Sequence, residues 1–96
     1  MRPLDPYRVV RWVGGRVAER RRSIGLTQEE LAERLDVSIK YLQRLEAGAE
    51  NLTVRSVVGI ANALDVSPSY LIQRPRNAAP RKPGRPRKKK STAATK

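Results

Sequence analysis

The chain has 96 residues, with 21 lysines and arginines against 9 aspartates and glutamates for a formal charge of +12, and it contains neither cysteine nor histidine. That composition excludes disulfides, thiolate or histidine-ligated zinc, and catalysis by a Ser-His or Cys-His pair. No apolar run is long enough for a membrane span and no signal-peptide pattern opens the chain, so the expected location is the cytoplasm.

The charge is unevenly placed. Residues 1–73 hold 11 basic and 9 acidic groups, a net +2, whereas residues 74–96 hold 10 basic groups and no acid. This implies a near-neutral folded domain over 1–73 followed by a polycationic arm over 74–96, and a polyanion is the natural partner of that arm. About 60 foldable residues make one small domain, marginal unless well packed or assisted by a partner. No separate ligand-sensing or catalytic domain is expected in such a length.

Pro3 and Pro6 delay the first helix to about Pro6 or Tyr7. It runs to about Ser23, and Gly25 supplies the turn. Val9, Val10, Trp12, Val13 and Val17 form an apolar stripe wider than a three-turn helix needs. Val13 and Val17 read as core, while Val9, Val10 and Trp12 suit either core or a dimer partner. Gly14-Gly15 weakens the middle of this helix, a pattern that fits close approach by another backbone.

Thr27 is a good N-cap, and Glu30 completes a capping box, so a second helix starts at about Gln28. Leu31, Ala32 and Leu35 share one face, while Glu29, Glu33 and Arg34 point to water. Asp36-Val37-Ser38 makes a corner, because Asp tolerates the left-handed conformation that ends a helix and Ser38 caps the next. The third helix turns Leu42 and Leu45 inward beside Val37 and carries no acid on its first two turns; the small Ala32 permits a close crossing. Gly48 closes it. Thr53 then caps a fourth helix expected to bury Val54, Val57, Val58, Ala61 and Leu64. Ser67-Pro68 opens a short fifth helix with Tyr70, Leu71 and Ile72. No segment carries a strand signal, so the expected class is all-α: a compact five-helix domain.

Two helices joined by a short turn over 28–47 form a helix-turn-helix, whose second helix can enter the DNA major groove. The pattern Thr27-Gln28-x-x-Leu31-Ala32, Val37-Ser38, Leu42, Leu45-Glu46-x-Gly48 resembles the Cro/C1-type (Xre-like, phage-repressor) helix-turn-helix family. The likeness continues upstream through Val13-Gly14-x-x-Val17, Arg21 and Gly25-Leu26, and downstream through Ile60-Ala61-x-Ala63-Leu64-Asp65-Val66 and Tyr70-Leu71. Asp36 departs from the family's usual glycine at the corner. The resemblance implies a lambda-repressor-like domain in a transcriptional regulator rather than an enzyme. It also implies a homodimer that sets two recognition helices about one DNA turn apart. No cofactor and no small-molecule ligand is expected.

With Leu42 and Leu45 inward, the outer face of the third helix carries Ile39, Lys40, Gln43 and Arg44. The resemblance aligns Ser38, Ile39, Lys40 and Arg44 with base-contacting positions, and Gln28 with a phosphate-clamping glutamine at a helix N-terminus that itself favours anions. Arg44 can place two parallel hydrogen bonds on guanine O6 and N7, Lys40 contacts bases less directionally, and Ile39 fits a thymine methyl. Tyr41 either bonds a phosphate through its hydroxyl or packs. The resemblance also pairs Arg21 with Glu46 in a structural ion pair between the first and third helices. The plain alternative for Lys40 and Arg44 is a solvated cationic face, and the DNA reading fails if both pack against the chain's own body.

From Arg74 onward no core-forming residues occur, and disorder is expected. Arg81-Lys82-Pro83-Gly84-Arg85-Pro86-Arg87-Lys88 is similar to the AT-hook, Gly-Arg-Pro flanked by basic residues. Its prolines keep the strip extended and Gly84 removes bulk, so Arg85 and Arg87 can lie in a narrow A·T minor groove. A generic polycation is the alternative. Three functional readings follow: a sequence-specific, nucleoid-associated DNA-binding regulator, an architectural nucleoid-type protein, and an antitoxin-like interaction module with autoregulatory DNA binding. The first accommodates both the helix-turn-helix and the tail.

Overall fold

The computed structural model of the protein describes residues 3–76. They form five helices: α1 (Pro6–Ser23), α2 (Gln28–Leu35), α3 (Ile39–Glu46), α4 (Val54–Leu64) and α5 (Pro68–Leu71). The described part is therefore all-helical, as the periodicity requires. Each helix begins on a side-chain oxygen. Asp5, Thr27, Ser38, Thr53 and Ser67 accept from the amides of Tyr7, Glu30, Tyr41, Ser56 and Tyr70, satisfying donors that the helix itself leaves unpaired. Two of these caps are reciprocal, Thr27 with Glu30 and Thr53 with Ser56.

The helix ends follow a second rule. Gly25, Asp36, Gly48 and Asp65 all adopt positive φ, between 57° and 77°. The amide after each reaches back to close the helix: Leu26 to Arg21, Val37 to Ala32, Ala49 to Arg44 and Val66 to Ala61, at 2.9–3.0 Å. The tetrapeptide Leu-Asp-Val-Ser occurs twice, at 35–38 and 64–67, and serves the same purpose both times. Its Asp turns left-handed to end one helix and its Ser caps the next.

The core joins Val13 and Val17 of α1, Leu31 and Ala32 of α2, Leu42 and Leu45 of α3, Ile60, Ala61 and Leu64 of α4, and Leu71 of α5. Gly14 explains the weak centre of α1. A Cβ there would stand 2.8 Å from the Glu46 carbonyl oxygen and nearer still to that of Leu45, so the α3 backbone end lies directly on α1. The last carbonyls of α4 are met from outside, since α4 has no basic residue in its own last turn. Arg20 donates to the Leu64 carbonyl at 2.9 Å and Arg34 to that of Ala63 at 3.3 Å.

Three expectations change. Val54 is 81% exposed and Val58 is exposed rather than buried. The inward face of α4 is Val57, Ile60, Ala61 and Leu64, and one residue's step carries Val58 about 100° away from Val57. Val54 stands at the first helical position, off the packed stripe. Ile72 lies past the end of α5 and is exposed, so only Leu71 of that segment is core. The packed body also extends two residues beyond the expected boundary at 73. Arg16, buried on α1, donates to the carbonyls of Arg74 at 2.8 Å and Gln73 at 3.3 Å and lies 4.5 Å from the centre of the Tyr70 ring. Pro75 rests on Gly15, where a Cβ would meet it at 2.7 Å. The arm beyond residue 76, with Arg81, Lys82, Gly84, Arg85, Pro86, Arg87 and Lys88, lies outside the described residues.

Candidate nucleic-acid interface

Ser38 sets the phase of α3 by accepting the Tyr41 amide at 3.0 Å, and Leu42 and Leu45, 0% and 1% exposed, lock the helix onto the core. Geometry then leaves little choice for the opposite side. Ser38, Ile39, Lys40, Gln43 and Arg44 are all exposed, so neither cation is packed into the body. Tyr41 is half-buried against the core and borders a shallow cleft of about 150 Å³ with Leu35, Val37, Ser56, Gly59 and Ile60.

Glu46, at the other end of α3, faces inward to a dense network. Arg21 donates through Nε to Oε2 at 2.6 Å and through a terminal nitrogen to Oε1 at 3.1 Å, in the two-pronged geometry that suits guanidinium and carboxylate. Arg21 also donates to the Leu26 carbonyl at 2.9 Å, and Gln28 donates its amide to Glu46 Oε1 at 3.0 Å. One carboxylate thus joins α1, α2 and α3, and its charge is neutralised locally. Gln28, at the first position of α2, has its amide plane fixed by this bond and keeps a second amide hydrogen for another acceptor.

Arg44 has a partner that the sequence reading did not assign. Its Nε donates to Glu50 Oε1 at 2.9 Å, and the Arg44 side chain remains 49% exposed. Among the described residues the terminal guanidinium nitrogens make no hydrogen bond. Glu50 sits only six residues past Arg44, and the reversal at Gly48 is the signal that could have brought it to notice. The structure therefore gathers Arg21, Gln28 and Glu46 into one network and sets Ile39, Lys40, Gln43 and Arg44 on one open face. No metal-binding cluster of acids occurs among the described residues, and none of their helices is long and apolar enough to cross a membrane.

The family described as helix-turn-helix matches residues 17–71. The chain is similar to the HTH-type transcriptional regulator y4dJ of Sinorhizobium fredii, 45% identical over 60 residues that cover 62% of this chain and 78% of the relative. It is also similar to a transcriptional regulator in the ATPase CF(0) region of Rhodospirillum rubrum, 36% identical over 72 residues, covering 75% and 67% respectively. Among solved structures, the restriction-modification controller protein C.AhdI from Aeromonas hydrophila superposes with a TM-score of 0.60 at 32% identity, covering 65% of this chain and 94% of that one. SinR, the master regulator for biofilm formation, solved in complex with DNA, superposes with a TM-score of 0.59 at 29% identity, covering 64% and 98%.

Proposed function

The chain belongs to the Cro/C1-type helix-turn-helix family of DNA-binding transcriptional regulators, which are not enzymes, and from that premise we propose that α3 reads an operator through the major groove while the basic arm binds beside it. The observation that carries this reading is the outer face of α3. Four side chains of graded chemistry stand there in the open, and the helix's single acid is turned away and neutralised by Arg21. Arg44 pairs with guanine, Lys40 contacts an adjacent base or phosphate, Ile39 covers a thymine methyl, and Gln43 donates and accepts at a base edge. Ser38 approaches the groove at the helix start, Tyr41 borders it, and Gln28 clamps a phosphate with its remaining amide hydrogen.

Residues 74–96 act by tethering. Once α3 is docked, the arm is held near adjacent DNA at high effective concentration, and Arg85 and Arg87 enter an A·T-rich minor groove. A homodimer would double the readout over two half-sites about one DNA turn apart. The net +10 on residues 74–96 favours, as a second reading, an architectural protein whose arm dominates binding. Competition between a selected site and random duplex separates the two, because a regulator prefers its site by about 10³-fold or more. The direct test selects bound sites from random duplex DNA with the full chain and with Arg44→Ala. The expected result is a defined site that loses its preference at one position per half-site in the variant.

A further inference from the structure

We infer that Glu50 is a positioning residue for sequence discrimination: it holds the Arg44 guanidinium by Nε so that the two terminal nitrogens face the groove as a fork. The inference rests on the proposal that Arg44 reads a base. An unrestrained arginine has four rotatable bonds and meets phosphates of any sequence as readily as one base edge. Its guanidinium is planar, so a bond to Nε restricts its swing and leaves the terminal pair together on the side away from the brace.

The geometry at Glu50 meets these requirements. Its oxygen accepts from Nε at 2.9 Å, and only 22% of its side chain is exposed against 49% for Arg44, so the carboxylate is the more enclosed member. The backbone just before it is pinned. Gly48 donates to the Leu45 carbonyl at 3.0 Å and Ala49 to the carbonyl of Arg44 itself at 2.9 Å. The reader and its brace are thus joined by main chain as well as side chain. Stability does not account for the arrangement, since an ion pair this open contributes little to folding. A carboxylate beside DNA instead repels every phosphate, which weakens binding to all sequences alike. That general penalty becomes useful if the same group sharpens the choice among sequences.

The test compares the full chain with Glu50→Ala, Glu50→Gln, Arg44→Ala and the double variant Arg44→Ala/Glu50→Ala. Affinities are measured at one salt concentration for a duplex recovered by selection and for a random-sequence duplex pool. Glu50→Ala is expected to bind the random pool more tightly while its preference for the selected duplex falls by about tenfold. Glu50→Gln, which keeps the size and a neutral acceptor, should bind the pool likewise and fall between the two in preference. With Arg44→Ala already present, Glu50→Ala should change preference no further. Glu50 variants with undiminished preference, or with the same loss when Arg44 is absent, overturn the inference. Full preference in Arg44→Ala alone overturns the base-reading proposal, and the inference with it. Melting curves for each variant separate these effects from misfolding.

Discussion

Two arginine–glutamate pairs each place one member on α3, and their surroundings give them opposite work. Arg21–Glu46 is nearly closed to water, with side chains 11% and 8% exposed, and Arg21 engages both carboxylate oxygens. Arg44–Glu50 stands half open on one hydrogen bond. Breaking a buried pair strands a charge where water cannot reach it, whereas an exposed partner is simply rehydrated. The same two residue types therefore fasten the fold at one place and remain available to a ligand at the other.

The largest test of this contrast is Glu46→Ala, which also takes away the acceptor of Gln28. It is expected to lower unfolding free energy by about 3 kcal/mol, measured by denaturant titration. Next comes Gly14→Ala, which attacks the same seam through the backbone. The added methyl meets two carbonyl oxygens that cannot swing aside, and a loss of about 2 kcal/mol is expected in the same titration. Asp36→Gly should shift stability the other way by about 0.5–1 kcal/mol, because it removes the Cβ from a left-handed position at φ 57°. Smallest of all, Arg44→Ala should change stability by less than about 0.5 kcal/mol. If Glu46→Ala proves as mild as Arg44→Ala, burial does not distinguish the pairs and the contrast fails.

How far the sequence revealed this depends on how far apart the interacting residues lie. Thr27, Ser38 and Thr53 are readable as caps because their partners are three residues away. Asp36 and Gly48 are readable as stops because the chain there must turn left-handed. Val54 and Val58 of α4 point outward although their type suggests burial, because hydrophobic type alone does not fix helix phase; the face is set by where α1, α2 and α5 pack. Arg16 shows the limit more sharply. An arginine inside an apolar stripe reads as solvent-directed, and the carbonyls that hold it lie 57 and 58 residues later. The Arg21–Glu46 pair spans 25 residues and was visible only through family resemblance. Glu50 lies close in sequence to Arg44, but an acid just past the end of a helix has no periodicity to announce its partner.

The central claim is that the outer face of α3 chooses the DNA sequence. It is tested most directly by repeating selection from random duplex DNA with Lys40→Ala/Arg44→Ala, after melting has shown the fold intact. The expected result is a recovered site degenerate at the base pairs those two side chains contact, with most non-specific affinity kept by the basic arm. Recovery of the same site with the same preference would contradict it.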